Sequence, residues 1–247
     1  VSRNATGGFK SWQADAGAWH DFFYDMAIGP DGSVWHATGD GLITVRPDGE
    51  LVAHHLDAAL PLSYVAAVGL DAQGRPWIGT GPSGNVQKRL ARRDADGTWH
   101  PVDLVNPWTG QQVLYIPKIV SARDGSLWIV GDDGLYHLDG DGGLLAFYNA
   151  IDLDSFAVMT ATIDDAGRIW AGTTGIRDKG TGRVVGGGVT VIDGDDLTFY
   201  AADLVMGGAI AVRDIAFDRD GGTWLATDAG LTYRDAAGRW TQHRKAD

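Results

Sequence analysis

The chain has 247 residues, 44% of them hydrophobic, and no cysteine, so it can bury a sizeable core without disulfides. Lys and Arg number 20 against 32 Asp and Glu, a formal charge of −12 whose field repels phosphate backbones and anionic lipid and excludes nucleic acid as the expected partner. Glu50 is the only glutamate among those acids, and aspartate together with 36 glycines and 10 tryptophans favours turns and strands over helices.

In chain order, residues 1–17 come first. Gly8-Phe9-Lys10-Ser11-Trp12-Gln13 resembles the fourth strand of a later unit, Arg239-Trp240-Thr241-Gln242-His243, yet no first three strands precede it. It reads as a strand that fastens a terminal unit, or as the remnant of a further one. Five units with one grammar follow, at about residues 24–56, 64–104, 116–149, 157–202 and 211–243. Each has an apolar first strand, an Asp/Gly turn and a tryptophan strand: SVWHAT, RPWIGT, SLWIVG, RIWAGT and GTWLAT. The tryptophans are Trp35, Trp77, Trp128, Trp170 and Trp224, each three residues after a turn glycine: Gly32, Gly74, Gly125, Gly167 and Gly221. A Gly-apolar step opens a third strand, and a second Asp/Gly turn leads to a fourth, giving four antiparallel strands per unit. Tryptophan spacings of 42, 51, 42 and 54 residues match the blade length of a β-propeller. The expected fold is therefore all-β, a single propeller domain of five four-stranded blades with an extra N-terminal outer-type strand.

The pattern is fullest at Asp71-Ala-Gln-Gly-Arg-Pro-Trp77-Ile-Gly-Thr80 and Asp164-Asp-Ala-Gly-Arg-Ile-Trp170-Ala-Gly-Thr173. It resembles the two-component regulator propeller repeat over about residues 24 to 243. That resemblance implies a bacterial, periplasmic or extracellular propeller, commonly the sensor part of a membrane histidine kinase that responds to glycans. This chain departs from the family in its few blades and in carrying no attached span or kinase. Its repeat residues are structural, so they speak for fold more than for function.

Successive connections of a blade alternate between the two ends of the ring. The 1-to-2 and 3-to-4 turns are short and nearly constant, whereas excess length falls in Gly172–Gly188 of blade four and in the crossover Asp103–Pro117 between blades two and three. Both insertions reach the same face, and long loops on a rigid scaffold carry function, so the site is expected there. The crossover carries Trp108 and Tyr115 with Gln111 and Gln112 between them, a composition suited to stacking on a sugar ring and bonding its hydroxyls. The blade-four insertion concentrates Arg177, Lys179 and Arg183, which could hold a ligand carboxylate or sulfate. Seven residues before each turn glycine stand Asp25, Ala67, Lys118, Thr160 and Asp214, a register expected to line the central channel. Closure of blade five on blade one would bring Asp25 beside Asp214, with Lys118 across the ring. Tyr24, Tyr64, Phe156 and Arg213 belong to the same entrance.

Other motifs fail. Gly79-Thr-Gly-Pro-Ser-Gly84 joins two strands and lacks the helix N-terminus that a dinucleotide site needs. No glutamate closes an Asp/Gly turn into a calcium loop, and adjacent His54 and His55 point to opposite faces of a strand. No metal or cofactor is expected. The basic stretch from Lys88 to Arg93 reads as a solvated outer face, or as a patch that docks another protein. The leading expectation is a non-catalytic binding or sensory propeller for a polar small molecule or oligosaccharide. The alternatives are a lyase or hydrolase using channel carboxylates, similar to streptogramin lyase propellers but without an inner-strand histidine, and a protein-binding scaffold. No run of about 18 apolar residues is present, so membrane insertion is not expected.

Overall fold

The computed structural model describes residues 2–3, 9–10, 22–39, 41–55, 64–81, 89–155, 157–205 and 209–243. They form five four-stranded antiparallel sheets in sequence, each ordered first strand to fourth without a crossover. The first strands, innermost in each blade, are Phe23–Ile28, Val65–Leu70, Lys118–Ser121, Ala157–Ile163 and Val212–Phe217. One four-residue helix, Ala202–Val205, follows the fourth strand of blade four.

Local chemistry explains the regularity. Every 1-to-2 turn glycine has positive φ, between 73° and 89°, a conformation that side-chain-bearing residues avoid. A turn aspartate completes the hairpin. In blade two, Asp71 accepts bonds from the backbone of Gln73 and Arg75, from Arg75 Nε at 2.7 Å and from Trp77 Nε1 at 3.1 Å. Asp164 repeats this set on Ala166, Arg168 and Trp170, and Asp218 does so on Asp220, Gly222 and Trp224. Burial alone would raise the Asp164 carboxyl, but the bonds from Trp170 and Arg168 hold it below its ordinary value. Blades one and three use a second solution. There the aspartate lies next to the glycine and bonds a serine, as Asp31 with Ser33 and Asp124 with Ser126, while a histidine stacks on the tryptophan. His54 lies on Trp35 at 5.0 Å between ring centroids and His137 on Trp128 at 4.1 Å.

The core is divided among blade interfaces. Trp77 packs with Leu127, Ile129 and Tyr136 of blade three, Trp128 with Val158 and Ala161 of blade four, and Trp170 with Ile215 and Leu225 of blade five. Trp35 joins Val65, Val68 and Ile78 in the same way. These four tryptophans thus face the next blade, where their large apolar area drives the stacking.

Three expectations need correction. Among the described residues the first strands of blades five and one do not pack together as consecutive ones do, so closure onto a five-blade ring is not seen. Phe9–Lys10 pairs with Ser2–Arg3 in a separate two-stranded sheet and not with the edge of a terminal blade; the rest of the Gly8–Gln13 stretch lies outside the described residues. The basic stretch is not simply a solvated face. Arg89 is buried and donates to the Gly81 carbonyl at 2.6 Å, and Arg92 bonds Asp94 and Asp141 at 3.0 and 3.3 Å. Lys88 lies outside the described residues.

Candidate functional site

The site builds from the N-terminal ends of the inner strands, where blades one to three converge. Tyr24 and Tyr64 bring their rings to 5.2 Å between centroids. Tyr64 projects over Gly81, whose missing side chain leaves the space that the phenol occupies. Burial raises the Tyr64 phenol, and the neighbouring Tyr115 and Tyr24 phenols add to the rise while Arg89 opposes it. Three tyrosines and a guanidinium therefore share one mouth. Tyr24 and Tyr115 are exposed there, so their rings are available to a ligand.

Beneath them, Lys118 Nζ donates to Asp25 Oδ1 at 2.8 Å, and the Val68 N–H donates to Asp25 Oδ2 at 3.2 Å. One carboxylate ties the inner strands of blades one, two and three. This corrects the expected pairing of Asp25 with Asp214: Lys118 is not across the channel but in contact with Asp25, and among the described residues the first strands of blades one and five do not pack together. Asp214 is exposed and accepts from the Ile215 N–H. Arg213 is likewise exposed on the last blade.

The crossover is folded by residues that the sequence reading passed over. Asn106 is buried; its Oδ1 accepts from the Trp108 and Thr109 amides, and its Nδ2 donates to Asp133 Oδ2 at 2.8 Å. Asp132 accepts from the Leu114 and Tyr115 amides, which aims Tyr115 at the mouth. The Asn-Pro-x-Thr run was the available signal for this turn. Trp108 itself goes elsewhere. It packs edge-on against Phe147 of the outermost strand of blade three, at 5.8 Å, and remains 67% exposed. The blade-four insertion forms a two-stranded hairpin, Ile176–Arg177 with Val184–Val185, closed by Asp178, which accepts from Gly180 and Thr181. Lys179 and Arg183 are exposed on it, and Arg177 Nη1 donates to the Gly182 carbonyl. Thus Tyr24, Asp25, Tyr64, Tyr115 and Lys118 come together, whereas Trp108, the hairpin cations, Arg213 and Asp214 occupy separate positions. Phe156 lies outside the described residues.

The inner strands also line a cavity of about 620 Å³ that reaches the opposite, turn-bearing end, bounded by Met26, Gly69, Lys118, Ser121, Arg123 and Thr162 among others. No group of three or more metal-ligating side chains occurs among the described residues.

No family model and no curated protein matches the chain. Solved structures do. A catalytically inactive virginiamycin B lyase of Staphylococcus aureus with quinupristin superimposes with a TM-score of 0.73 at 14% identity, over 98% of this chain and 75% of that one. A streptogramin B lyase gives 0.65 at 19% identity, over 98% and 71%. The extracellular domain of a protein assigned as a hybrid two-component system in B. thetaiotaomicron gives 0.66 at 17% identity, over 91% of this chain but 31% of that domain. The chain therefore spans about a third of the sensor domain. At these identities the likeness is one of fold: an all-β array of propeller-type blades shared by enzymes and sensor domains alike.

Proposed function

We propose that this chain is a non-catalytic ligand-binding or sensory propeller that takes a polar small molecule or oligosaccharide at the mouth formed by Tyr24, Tyr64 and Tyr115. The observation that carries this reading is the tyrosine cluster, held in place by Gly81 and Asp132 above the Asp25–Lys118 pair. Aromatic faces provide apolar contact for a sugar ring, and phenol, carboxylate and ammonium groups at their edge provide hydrogen bonds to hydroxyls. The long crossover reaches this same face, as a specificity element should. By likeness to the sensor extracellular domains, the place of action is the periplasm or the cell exterior. A protein partner that reads the bound state belongs to the sensory reading.

The lyase alternative is weaker on chemistry. A general base near neutral pH is needed, and none of the described inner strands carries a histidine. Asp25 is already engaged by Lys118 and Val68. A thermal-shift and calorimetric screen of neutral and acidic oligosaccharides tests the proposal. A hit whose affinity falls at least tenfold in both Tyr64→Ala and Tyr115→Ala supports it; a hit indifferent to both places the site elsewhere. Turnover of a bound compound would favour the enzyme.

A further inference from the structure

The interface between neighbouring blades is formed four times by equivalent residues. In each, a tryptophan of one blade meets the next blade's inner strand at the position six residues before its turn glycine. That position is Val68, Ile119, Ala161 or Ile215, and these are 1%, 4%, 1% and 5% exposed. The equivalent residue of blade one is Met26, and it is 60% exposed. Ile28, two residues on and on the same side of the strand, is 72% exposed. At the other end of the array Trp224 has the same strand position and the same Asp218 bond as its counterparts, yet it joins none of the four inter-blade cores. Among the described residues its ring contacts lie within its own blade, with Tyr233 and His243, and it is half-buried. The two ends therefore present the two halves of one interface, a tryptophan face and an apolar receiving strand.

We propose that these end faces dock a body of two further blades of the same repeat, which completes the ring. The occupant is defined by the interface chemistry. It must offer an aliphatic inner strand to Trp224 and a tryptophan to Met26 and Ile28, as blades two, three and four each do on their two sides. Its size follows from the superimposed lyases, of which this chain covers 71% and 75%. The uncovered part is about two blades at this chain's tryptophan spacing. A second copy of this chain fits worse, since five blades exceed that wedge. The proposal is independent of the ligand reading above.

Two measurements test it. In the first, residues 244–247 are replaced by a duplicate of residues 56–149, which carry blades two and three. Met26→Asp should leave the melting temperature of the 247-residue chain within about 1 °C and lower that of the extended chain by at least 5 °C. An equal effect in both overturns the proposal. The second needs only the chain itself and holds if the extension does not fold. The 247-residue chain should bind the apolar dye ANS, and Met26→Asp/Ile28→Asp should reduce the fluorescence at least twofold without loss of strand circular dichroism. No dye binding, or a concentration-dependent dimer in sedimentation that Met26→Asp abolishes, overturns the proposal, the dimer by naming a second copy as the occupant.

Discussion

Asp71→Ala removes an acceptor whose side chain is fully enclosed and which serves four donors at once. The largest loss is at Trp77, a fully buried ring whose Nε1–H would have no acceptor, a cost of about 1–3 kcal/mol. Arg75 loses its 2.7 Å partner but keeps the Gly140 carbonyl at 2.9 Å and weaker attraction to Asp94 and Asp141 at 3.8 Å, so its share is about 1 kcal/mol. The two turn amides are nearer solvent and add about 1 kcal/mol between them. The sum is about 3–5 kcal/mol, a large part of the stability of a typical domain. Urea unfolding followed by tryptophan fluorescence and circular dichroism measures it. Asp165→Ala is the control, because its ion pair with Arg123 is exposed on both sides and should contribute no more than about 0.5 kcal/mol. Trp77→Phe should cost less in the Asp71→Ala background than in the wild type by about 1–2 kcal/mol, since the orphaned donor is then gone. Equal losses for Asp71→Ala and Asp165→Ala, or strict additivity with Trp77→Phe, would refute the assignment of Asp71 as the buried acceptor.

Further outcomes follow from other contacts. Burial, joined by repulsion from Arg93 and Arg46, holds the His54 imidazole down at about 4, and burial also lowers His36 and His137. In the unfolded chain these rings protonate near 6.5, so their contribution is complete above that pH and is lost as pH falls toward 4. For His54 it is roughly 1–2 kcal/mol after allowance for partial exposure, and a melting-temperature profile between pH 7.5 and 4 should flatten in His54→Gln. Lys118→Ala strands a nearly buried Asp25 carboxylate and should destabilise by about 2 kcal/mol, more than Asp25→Asn does, in the same urea assay. Gly81→Ala places a methyl group where the Tyr64 phenol lies, so it should displace that ring and weaken any saccharide found in the screen at least as much as Tyr64→Ala. Asp178→Ala should loosen only the blade-four hairpin, accelerating amide exchange at Gly180 and Thr181 with no change in global melting.

The four-stranded unit, its strand order and the place of its tryptophan were legible because one repeat states them five times. The six-residue interval from Asp71 to Trp77, matched at Asp164 and Asp218, was also on the page, although only the side-chain bonds show why it recurs. The Asp25–Lys118 pair was not legible. It depends on the angle between blades one and three, and a one-dimensional register gives height along the axis but no angle around it. Arg89 misled because it precedes the strand Leu90–Arg93 and is drawn inward by the Gly81 carbonyl, a contact that the sequence does not state, while Arg92 and Arg93 remain partly exposed. Trp108 drew attention as an aromatic in a long loop, but Asn106 sets the turn and directs that ring outward.

Most of the polar contacts that shape a blade begin and end inside it. Asp71, Asp164 and Asp218 bond partners two, four and six residues ahead, and Asp31 and Asp124 reach only two. The seams between blades have apolar cores, and polar ties such as Arg75 to Gly140, Arg92 to Asp141, Arg123 to Asp165 and Asp25 to Val68 and Lys118 cross them through side chains. A gene that gains or loses one such unit would therefore leave each hairpin's own bonds intact and would disturb only the seam contacts, the Asp25 ties to Val68 and Lys118 among them. That self-sufficiency makes the blade a unit of inheritance as well as of architecture, since its hairpin chemistry travels with it.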